Sequence, residues 1–588
     1  MAPVAGENAV SAKRAQIAGK SGIKGLISNG KTFSVALFAS LGGLVYGYNQ
    51  GMFAQVLTMK SFVKSVCYTP EATFVAFVHF ETNSRQTQGF AERPGIQQGL
   101  LTSILELAAW LGTLINGYLA DAAGRRVTVL IAVVVFSVGV IVQACTQNKD
   151  YVFAGRFVTG LGVGNLSMIV PLYNAELAPP EIRGSLVAVQ QLSITFGIMV
   201  SFWIGYGTNY IGGTGAGQSD AAWLIPVCVQ LLPAIILAVG MLAFMPQSPR
   251  HLMNQGREEE CLRTLAKLRQ ASPEDLLVRI EFLEVKAMKV FEDETAAKRY
   301  PQWQDGSFYS RFMIGLNDYK SLVTNRSLLK RTATATLVMM FQQWNGINAI
   351  NYYAPMIFQA IGFDSNATSL LATGVVGVVE FLFTIPAVVW VDKFGRRYIL
   401  IAGAIGMASC HFIVAGIIGA YSGKWQSNTS AGWAAVVFVW IFVINFAYSW
   451  GPVSWIVCSE VFPLSMRAKG VSIGGSSNWL NNFAVAISTS PFIQASNFGT
   501  FIFFGCVTTL AVLYVFFLVP ETKGRTLEEM DEIFGSTGIA AEDSVRKARI
   551  EREIGLLALL GEDSEHSEEE KAQNGIEQRE DIVDPKYA

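Results

Sequence analysis

The stretch GYLADAAGRR, at Gly117–Arg126, recurs as VWVDKFGRR at Val389–Arg397. Two further pairs of matching stretches are NAELAPPEIRG at Asn174–Gly184 with CSEVFPLSMRAKG at Cys458–Gly470, and PQSPR at Pro246–Arg250 with PETKGR at Pro520–Arg525. In each pair the second copy lies roughly 270 to 285 residues after the first, and self-similarity at a fixed offset indicates an internal repeat. The sequence is therefore predicted to form two homologous halves.

The composition is that of a membrane protein. Of the 588 residues, 51% are hydrophobic and 15% are charged, whereas soluble domains carry about 25% charged residues. The apolar residues form runs of roughly 20, the length that crosses a bilayer as a helix. This composition excludes a soluble enzyme, a disordered protein and a nucleic-acid binder, and a net charge of −1 offers little to a polyanion.

Twelve membrane-spanning helices are predicted from these apolar runs. Their expected positions are residues 33–57, 98–120, 127–147, 151–173, 185–207, 222–245, 331–359, 367–391, 398–421, 432–457, 470–492 and 499–519. We expect an all-α membrane protein in which two pseudo-symmetric six-helix halves face each other across a central cavity, the architecture of alternating-access transporters.

The repeat also predicts the domain organisation. The expected parts are a tail at 1–31, the first half at 32–245, a linker with short helices at 246–330, the second half at 331–519 and a partly disordered tail at 520–588. The short loops on one side of the spans carry Arg125, Arg126, Arg183, Lys393, Arg396, Arg397, Arg467 and Lys469, and the short loops on the other side only Lys149 and Lys424. Because the cation-rich side faces the cytosol, both termini and the linker are expected to be cytosolic, and the glycosylation sequences at Asn366 and Asn428 external.

No stretch of the sequence is typical of an enzyme or a metalloprotein. The seven cysteines and four histidines show no ligand spacing, so neither a metal site nor a disulfide scaffold is indicated. No phosphate-binding loop or nucleophile–base constellation is found in the sequence. We expect no catalysis, no cofactor, no metal and no nucleic-acid partner, and a protein that works as a monomer in the lipid bilayer.

The order and spacing of several motifs resemble the sugar porter family of the major facilitator superfamily. The matching stretches are DAAGRR, DKFGRR, GRFVTGLGVG, PLYNAELAPPEIRG, QQWNGINAINYYAP, WGPVSWIVCSEVFPLSMRAKG and PETKGRTLEEMDEIF. They cover roughly residues 33 to 534, and the last three are most similar to fungal members. The resemblance implies the twelve-helix major facilitator fold and transport of a monosaccharide, hexose or pentose, across the plasma membrane.

Neutral amides are suited to sugar, because each donates and accepts hydrogen bonds as a hydroxyl does. Gln342, Gln343 and Asn348 lie in the seventh span around the helix breaker Asn345-Gly346, and a broken helix at membrane depth is tolerated where it lines a cavity. By resemblance, the positions that would contact sugar are Gln191, Gln342, Gln343, Asn348, Trp455, Asn478 and Asn482. Glu380 aligns with a further family position that contacts sugar, and Phe446 together with Trp455 would pack against the sugar's C–H face.

Three charged residues bear on proton coupling. Proton-coupled relatives carry an aspartate in the first span, where this chain has Asn49, which cannot titrate and is also found in facilitative animal members. Glu106 and Glu380 lie within spans, where a carboxylate is costly and is a functional hypothesis by default. Arg156 is by resemblance the usual partner of the missing aspartate, and Glu106 is its candidate counter-charge. We expect proton coupling through Glu106 or Glu380; a static Glu106–Arg156 pair, with Glu380 only binding sugar, is the alternative.

Charged residues also recur at the predicted cytosolic ends of the spans in both halves. The expected cytosolic gate comprises Asp121, Arg125, Arg126, Glu176, Arg183, Asp392, Arg396, Arg397, Glu460 and Arg467. Opposite charges there could latch the halves together when the cavity faces outside, or could only set topology. Gln247 stands where the family has glutamate, which removes one charge. By resemblance, Tyr352 and Tyr353 would form an outer gate; packing of these rings at the membrane interface is the alternative.

The sequence favours sugar–proton symport, with protons as the candidate coupling ion. Facilitative uniport is the close rival because of Asn49. Transport of a disaccharide, a polyol or quinate stays open, and so does a sugar sensor that signals through its tail.

Overall fold

The computed structural model describes most of the chain. The described residues are 28–67, 94–146, 148–179, 182–215, 217–303, 307–361, 366–422, 424–523, 530, 533–535 and 539–560. The predicted N-terminal tail up to residue 27, most of the loop at 58–97 and the tail beyond 560 lie outside them, as do the side chains of Arg183 and Asp392. The described part is helical and contains no β-strand.

The helices follow the predicted order of twelve spans. Four spans are divided: span 1 into Gly30–Ala39 and Leu41–Val56, span 6 into Ala221–Val229 and Leu231–Ala243, span 7 into Arg326–Trp344 and Ile347–Ala360, and span 10 into Thr429–Tyr448 and Trp450–Glu460. The undivided spans are span 2 Pro94–Ala123, span 3 Arg125–Ala144, span 4 Lys149–Leu177, span 5 Arg183–Thr208, span 8 Asn366–Phe394, span 9 Arg396–Tyr421, span 11 Arg467–Ala495 and span 12 Asn497–Leu518.

By length and apolarity alone, eight of the described helices could cross a membrane. Spans 1 and 7 are each divided into two shorter helices, and span 11 carries the polar run Gly474–Asn482. Polar side chains within a span are tolerated where the rest of the protein, rather than lipid, surrounds them. The spans that are least apolar are therefore the ones expected to line the interior.

Each half has its own hydrophobic core. Phe136 and Tyr173 are fully buried in the first half, and Phe442 and Trp450 in the second. Spans 2 and 4 approach each other at backbone distance, because a Cβ atom at Gly164 would come 2.0 Å from the carbonyl oxygen of Ala109. Small residues at such contacts allow helices to pack closely where the hydrophobic effect between them is weak.

The remaining helices lie at the end of the bundle from which spans 6 and 12 emerge, which we call the linker side. They are Pro249–Asn254, Glu258–Arg269, Leu276–Arg299 and Phe308–Thr324 in the linker, and Ile539–Glu553 and Leu556–Leu559 in the tail; Lys60–Cys67 follows span 1 at the opposite end. Ile550 of the tail packs against Ala287 and Phe291 of the linker. The tail thus covers one face of the longest linker helix.

Candidate functional site

Five buried amides from spans 7 and 11 form a hydrogen-bonded group, which we call the amide cluster. Its members are Gln342, Gln343, Asn348, Asn478 and Asn482, each at most 5% exposed. Asn348 Nδ2 donates to Gln343 Oε1 at 2.5 Å and to Asn482 Oδ1 at 3.0 Å. Gln343 Nε2 donates to Asn478 Oδ1 at 3.0 Å, and Asn478 Nδ2 donates to Gln342 Oε1. The structure therefore brings together the amides that the sequence placed on two spans more than 130 residues apart.

The break in span 7 is what brings its three amides to one place. The first helix ends at Trp344 and the second begins at Ile347, with Gly346 between them at φ +96°. Glycine takes this left-handed conformation without the steric cost that a side chain would add. Gln342 Nε2 donates in turn to the carbonyls of Trp450 and Gly451, both at 3.0 Å, where span 10 is divided. Gln342 thus links the break of span 7 to the break of span 10.

The first half contributes Gln50, which the sequence analysis missed. Gln50 of span 1 is 6% exposed, and its Nε2 donates to Asn348 Oδ1 at 2.6 Å and to the Tyr352 hydroxyl at 3.3 Å. The available signal was a second amide directly after Asn49 inside an apolar span. A sugar bound here would meet amides from both halves.

Glu106 of span 2 also joins the amide cluster. It is 1% exposed, and its Oε2 accepts from Asn482 Nδ2 at 3.2 Å. The Tyr352 hydroxyl donates to Asn482 Oδ1 at 3.1 Å and lies within reach of the Glu106 carboxylate as well. A carboxylate of one half therefore contacts the amides of the other.

The expected direct pair between Glu106 and Arg156 is not found among the described residues. Arg156 is 2% exposed, donates to the carbonyl of Thr102 at 3.0 Å and places its guanidinium 3.6 Å from the centroid of the Phe53 ring. Glu106 acts on Arg156 only through space. The ring face and the carbonyl stabilise the cation, and Glu106 is already engaged by Asn482. The Asn49 side chain has a different partner: its Nδ2 donates to Gln230 Oε1 at 2.8 Å.

Glu380 lies apart from the amide cluster. It is 3% exposed, its nearest hydrogen-bonding side chain is Asn351, and its Oε2 has no partner among the described residues. The Tyr46 side chain lies close enough to interact electrostatically with both Glu106 and Glu380. The two buried carboxyls thus both lie in the neighbourhood of Tyr46.

The other predicted sugar contacts make fewer polar contacts in the described part of the chain. Gln191 is half-buried, and its side chain makes no hydrogen bond within the described part. Phe446 is buried beside Gly451, and Trp455 is partly buried near Gly475 of span 11. Tyr353, predicted at an outer gate with Tyr352, is fully buried and donates to the carbonyl of Ala486 at 2.7 Å. Tyr352 itself belongs with the amide cluster.

The two halves meet tightly at the end opposite the linker. A Cβ atom at Gly99 of span 2 would lie 2.6 Å from the carbonyl oxygen of Ile487 in span 11, and one at Gly377 of span 8 would lie 2.8 Å from Met199 of span 5. Deeper in, Trp110 Nε1 donates to Ser476 Oγ at 2.7 Å. At these points the two halves are in direct contact.

The charged residues on the linker side pair within each half rather than across the halves. In the first half Arg125 contacts Glu176 at 2.8 Å and Asp121 at 3.2 Å. In the second, Arg396 contacts Glu460 at 3.0 Å. No described pair among the predicted gate residues joins the two halves. The reason is geometric, since the partners lie on neighbouring spans of one repeat.

The remaining gate residues have other partners or none described. Arg126 donates to the carbonyl of Leu242 at 2.7 Å, and Arg397 donates to that of Phe516. Arg467 is half-buried, with its Nε unpartnered in the described part of the chain. Arg183 and Asp392 lie outside the described side chains. Near Arg125, burial lowers the pKa of the linker residue His251, and the Arg125 guanidinium adds to the effect.

Gln247, which stands where the family has glutamate, corresponds in the second copy of the repeat to Glu521. Its mate Glu521 accepts from the backbone amides of Arg396 and Arg397, at 2.9 Å and 3.1 Å, and so caps the start of span 9. Gln247 Oε1 is buried and has no partner among the described residues. The second half therefore has an anionic helix cap for which the first half shows no described equivalent.

Replacing Glu521 with alanine should destabilise the protein by about 1–2 kcal/mol, since two amides at a helix start lose a charged acceptor. Thermal unfolding in detergent would measure this as a lower Tm. Glu521→Gln keeps an acceptor without the charge and should lose less. An unchanged Tm in Glu521→Ala would show that the cap contributes nothing.

Comparison with known proteins identifies the family. The family model described as Sugar (and other) transporter matches residues 35–534. Similar proteins include a high-affinity glucose transporter of Kluyveromyces lactis, 34% identical over 461 residues, which are 76% of this chain and 79% of that one. A quinate permease of Neurospora africana is 30% identical over 521 residues, 86% of this chain and 89% of that one.

A solved structure shares the fold. The proton:xylose symporter XylE bound to 6-bromo-6-deoxy-D-glucose is 27% identical, with a TM-score of 0.64, and the match covers 86% of this chain and 99% of XylE. This likeness confirms the predicted fold of twelve spans in two halves. The chain belongs to the sugar transporter family of the major facilitator superfamily.

Proposed function

We propose that this chain moves a neutral monosaccharide, hexose or pentose, across the plasma membrane by alternating access, together with a proton. The observation that carries the proposal is the amide cluster with Gln50 and Glu106 added from the first half. Amides recognise hydroxyls from either side, as donor or acceptor. A site shared by two halves also lets bound sugar favour the state in which the halves close on it.

A neutral sugar fits the charges of this region better than quinate does. Quinate carries a carboxylate, which would enter a region bordered by Glu106 and Glu380, both buried. Arg156 is the nearby cation; its Nη2 donates to the Thr102 carbonyl and its guanidinium lies against the Phe53 ring, whereas its Nε and Nη1 have no partner among the described residues. Like charges brought together away from water repel strongly. Because quinate permeases are among the similar proteins, quinate is the second candidate substrate.

Glu106 is the favoured carrier of the proton. A carboxyl that contacts Asn482 can change its hydrogen bonding when sugar arrives, whereas Asn351 is the one side chain described as hydrogen-bonding to Glu380 in the part of the chain that the structure describes. Protonation of Glu106 would remove a buried charge and weaken the hydrogen bond from Asn482 that joins the two halves. Uniport stays the rival, because Asn49 cannot titrate and is held by Gln230.

The orientation and assembly belong to the same proposal. The linker side carries Arg125, Arg126, Arg396 and Arg397, which supports a cytosolic linker and cytosolic termini. A single chain contains both halves of the site, which supports function as a monomer.

Uptake of labelled glucose and xylose should exceed the external concentration in cells that lack their own sugar transporters. One proton moved across 100 mV supplies about 2.3 kcal/mol, enough for about 50-fold accumulation. A protonophore should reduce the internal concentration to the external one. Uptake that only equilibrates, with or without the protonophore, would establish uniport. Transport of quinate but of no sugar would refute the assignment of a monosaccharide as the substrate.

A further inference from the structure

His411 of span 9 is a buried titratable residue to which the transport mechanism assigns no role. It is 3% exposed, and its ring lies among Phe442, Phe501 and Phe504 with centroid separations of 4.5 Å, 6.0 Å and 6.1 Å. A polar ring in such surroundings is stable only if its polar atoms find partners. Its Nε2 lies 2.8 Å from the backbone carbonyl oxygen of Asn345.

That carbonyl lies at the break of span 7. In a continuous helix the carbonyl of Asn345 would accept from the amide of residue 349. Here the amide of Ile350 bonds to the carbonyl of Gly346 at 3.1 Å, so the ladder restarts one residue later. The Asn345 carbonyl accepts from His411 instead. Because a carbonyl only accepts, His411 must carry its proton on Nε2.

The ring also fixes the space around the break. A Cβ atom at Gly346 would lie 3.3 Å from His411 Cε1 and 3.1 Å from Phe504. The break of span 7 is therefore held by the hydrogen bond from His411 to the Asn345 carbonyl, and the rings of His411 and Phe504 pack against Gly346. Gln343 and Asn348 stand on either side of this point and hydrogen-bond each other at 2.5 Å.

We propose that His411 is a positioning residue for substrate recognition: it holds the break of span 7 so that the amides before and after it face one site. Resting on the proposed function, this assigns recognition of the sugar partly to a side chain that never touches it. The donor on Nε2 is the active feature, and the aromatic packing supports it.

The test compares three variants of the full-length protein. His411→Phe keeps a ring and removes the donor, His411→Gln retains a donor, and Phe442→Leu loosens the packing while leaving the donor in place. For His411→Phe we expect the half-saturating sugar concentration to rise about tenfold, with the maximal rate retained. An unpaired buried carbonyl is costly, and apparent affinity falls with the fraction of protein in the binding-competent arrangement. His411→Gln should restore most of the affinity.

Hydrogen exchange supplies a readout that needs no sugar. Amides of residues 346–350 should exchange about tenfold faster in His411→Phe than in the wild type or in Phe442→Leu, because the break opens locally. Equal exchange and affinity in His411→Phe and the wild type would overturn the positioning role. Matching losses in His411→Phe and Phe442→Leu, without rescue by glutamine, would assign the effect to packing and also overturn it. If the wild type moves no monosaccharide, the proposed function fails while the exchange measurement still decides on His411.

Discussion

Replacing Glu106 with glutamine is expected to abolish accumulation of sugar while leaving equilibrative exchange. Glutamine keeps the shape and an acceptor for Asn482 Nδ2, which lies 3.2 Å from the Glu106 carboxylate, but it cannot carry a proton. Accumulation of about 50-fold, the value for one proton across 100 mV, should fall to the external concentration. Sugar-loaded cells would still exchange labelled for unlabelled sugar.

Glu380→Gln is the matched control, because Glu380 is equally buried but contacts Asn351 rather than the amide cluster. We expect it to keep accumulation. Both variants should be compared at equal surface level in the same cells. Accumulation that persists in Glu106→Gln and is lost in Glu380→Gln would transfer the coupling role to span 8.

Asn482→Ala is expected to have the second large effect, on affinity. Its side chain accepts from Asn348 and Tyr352 and donates to Glu106. The alanine variant would leave these buried groups without a hydrogen-bond partner, which costs about 1–3 kcal/mol of free energy for each group. The sugar concentration for half-maximal uptake should rise about ten- to a hundredfold.

The neighbouring Asn481 offers a control of the same residue type in the same span. Asn481 accepts from Trp344 Nε1 at 2.9 Å and donates to the carbonyl of Ser477 at 2.8 Å, outside the amide cluster. Asn481→Ala should change the half-saturating concentration by less than about twofold, as substitutions outside a site usually do. Similar shifts in both variants would refute the placement of sugar at the amide cluster.

The fold was predictable because its signals are local. Runs of about 20 apolar residues mark the spans, and the repeat of Asp121–Arg125 in Asp392–Arg396 marks the halves. The break in span 7 was predictable too, since Asn345-Gly346 disfavours a continuous helix whatever surrounds it. The sugar-contact and outer-gate positions came from a resemblance, the cytosolic gate came from charges that recur in both halves, and all their roles stay predictions.

Contacts between spans were not predictable in the same way. Glu106 was expected to be the counter-charge of Arg156, which by resemblance partners the missing aspartate, but Glu106 contacts Asn482, 376 residues away. Gln50 meets Asn348 across 298 residues, and the gate charges pair inside each half instead of between halves.

The sequence by itself thus determined the number of spans, the break in span 7 and which spans carry polar groups, because apolar runs and backbone propensity depend on neighbouring residues; the divisions of spans 1, 6 and 10 were not predicted. Only the tertiary structure decided which polar groups meet. Those partners depend on the rotation of each helix about its axis and on the packing of twelve spans, and no single stretch of sequence contains that information.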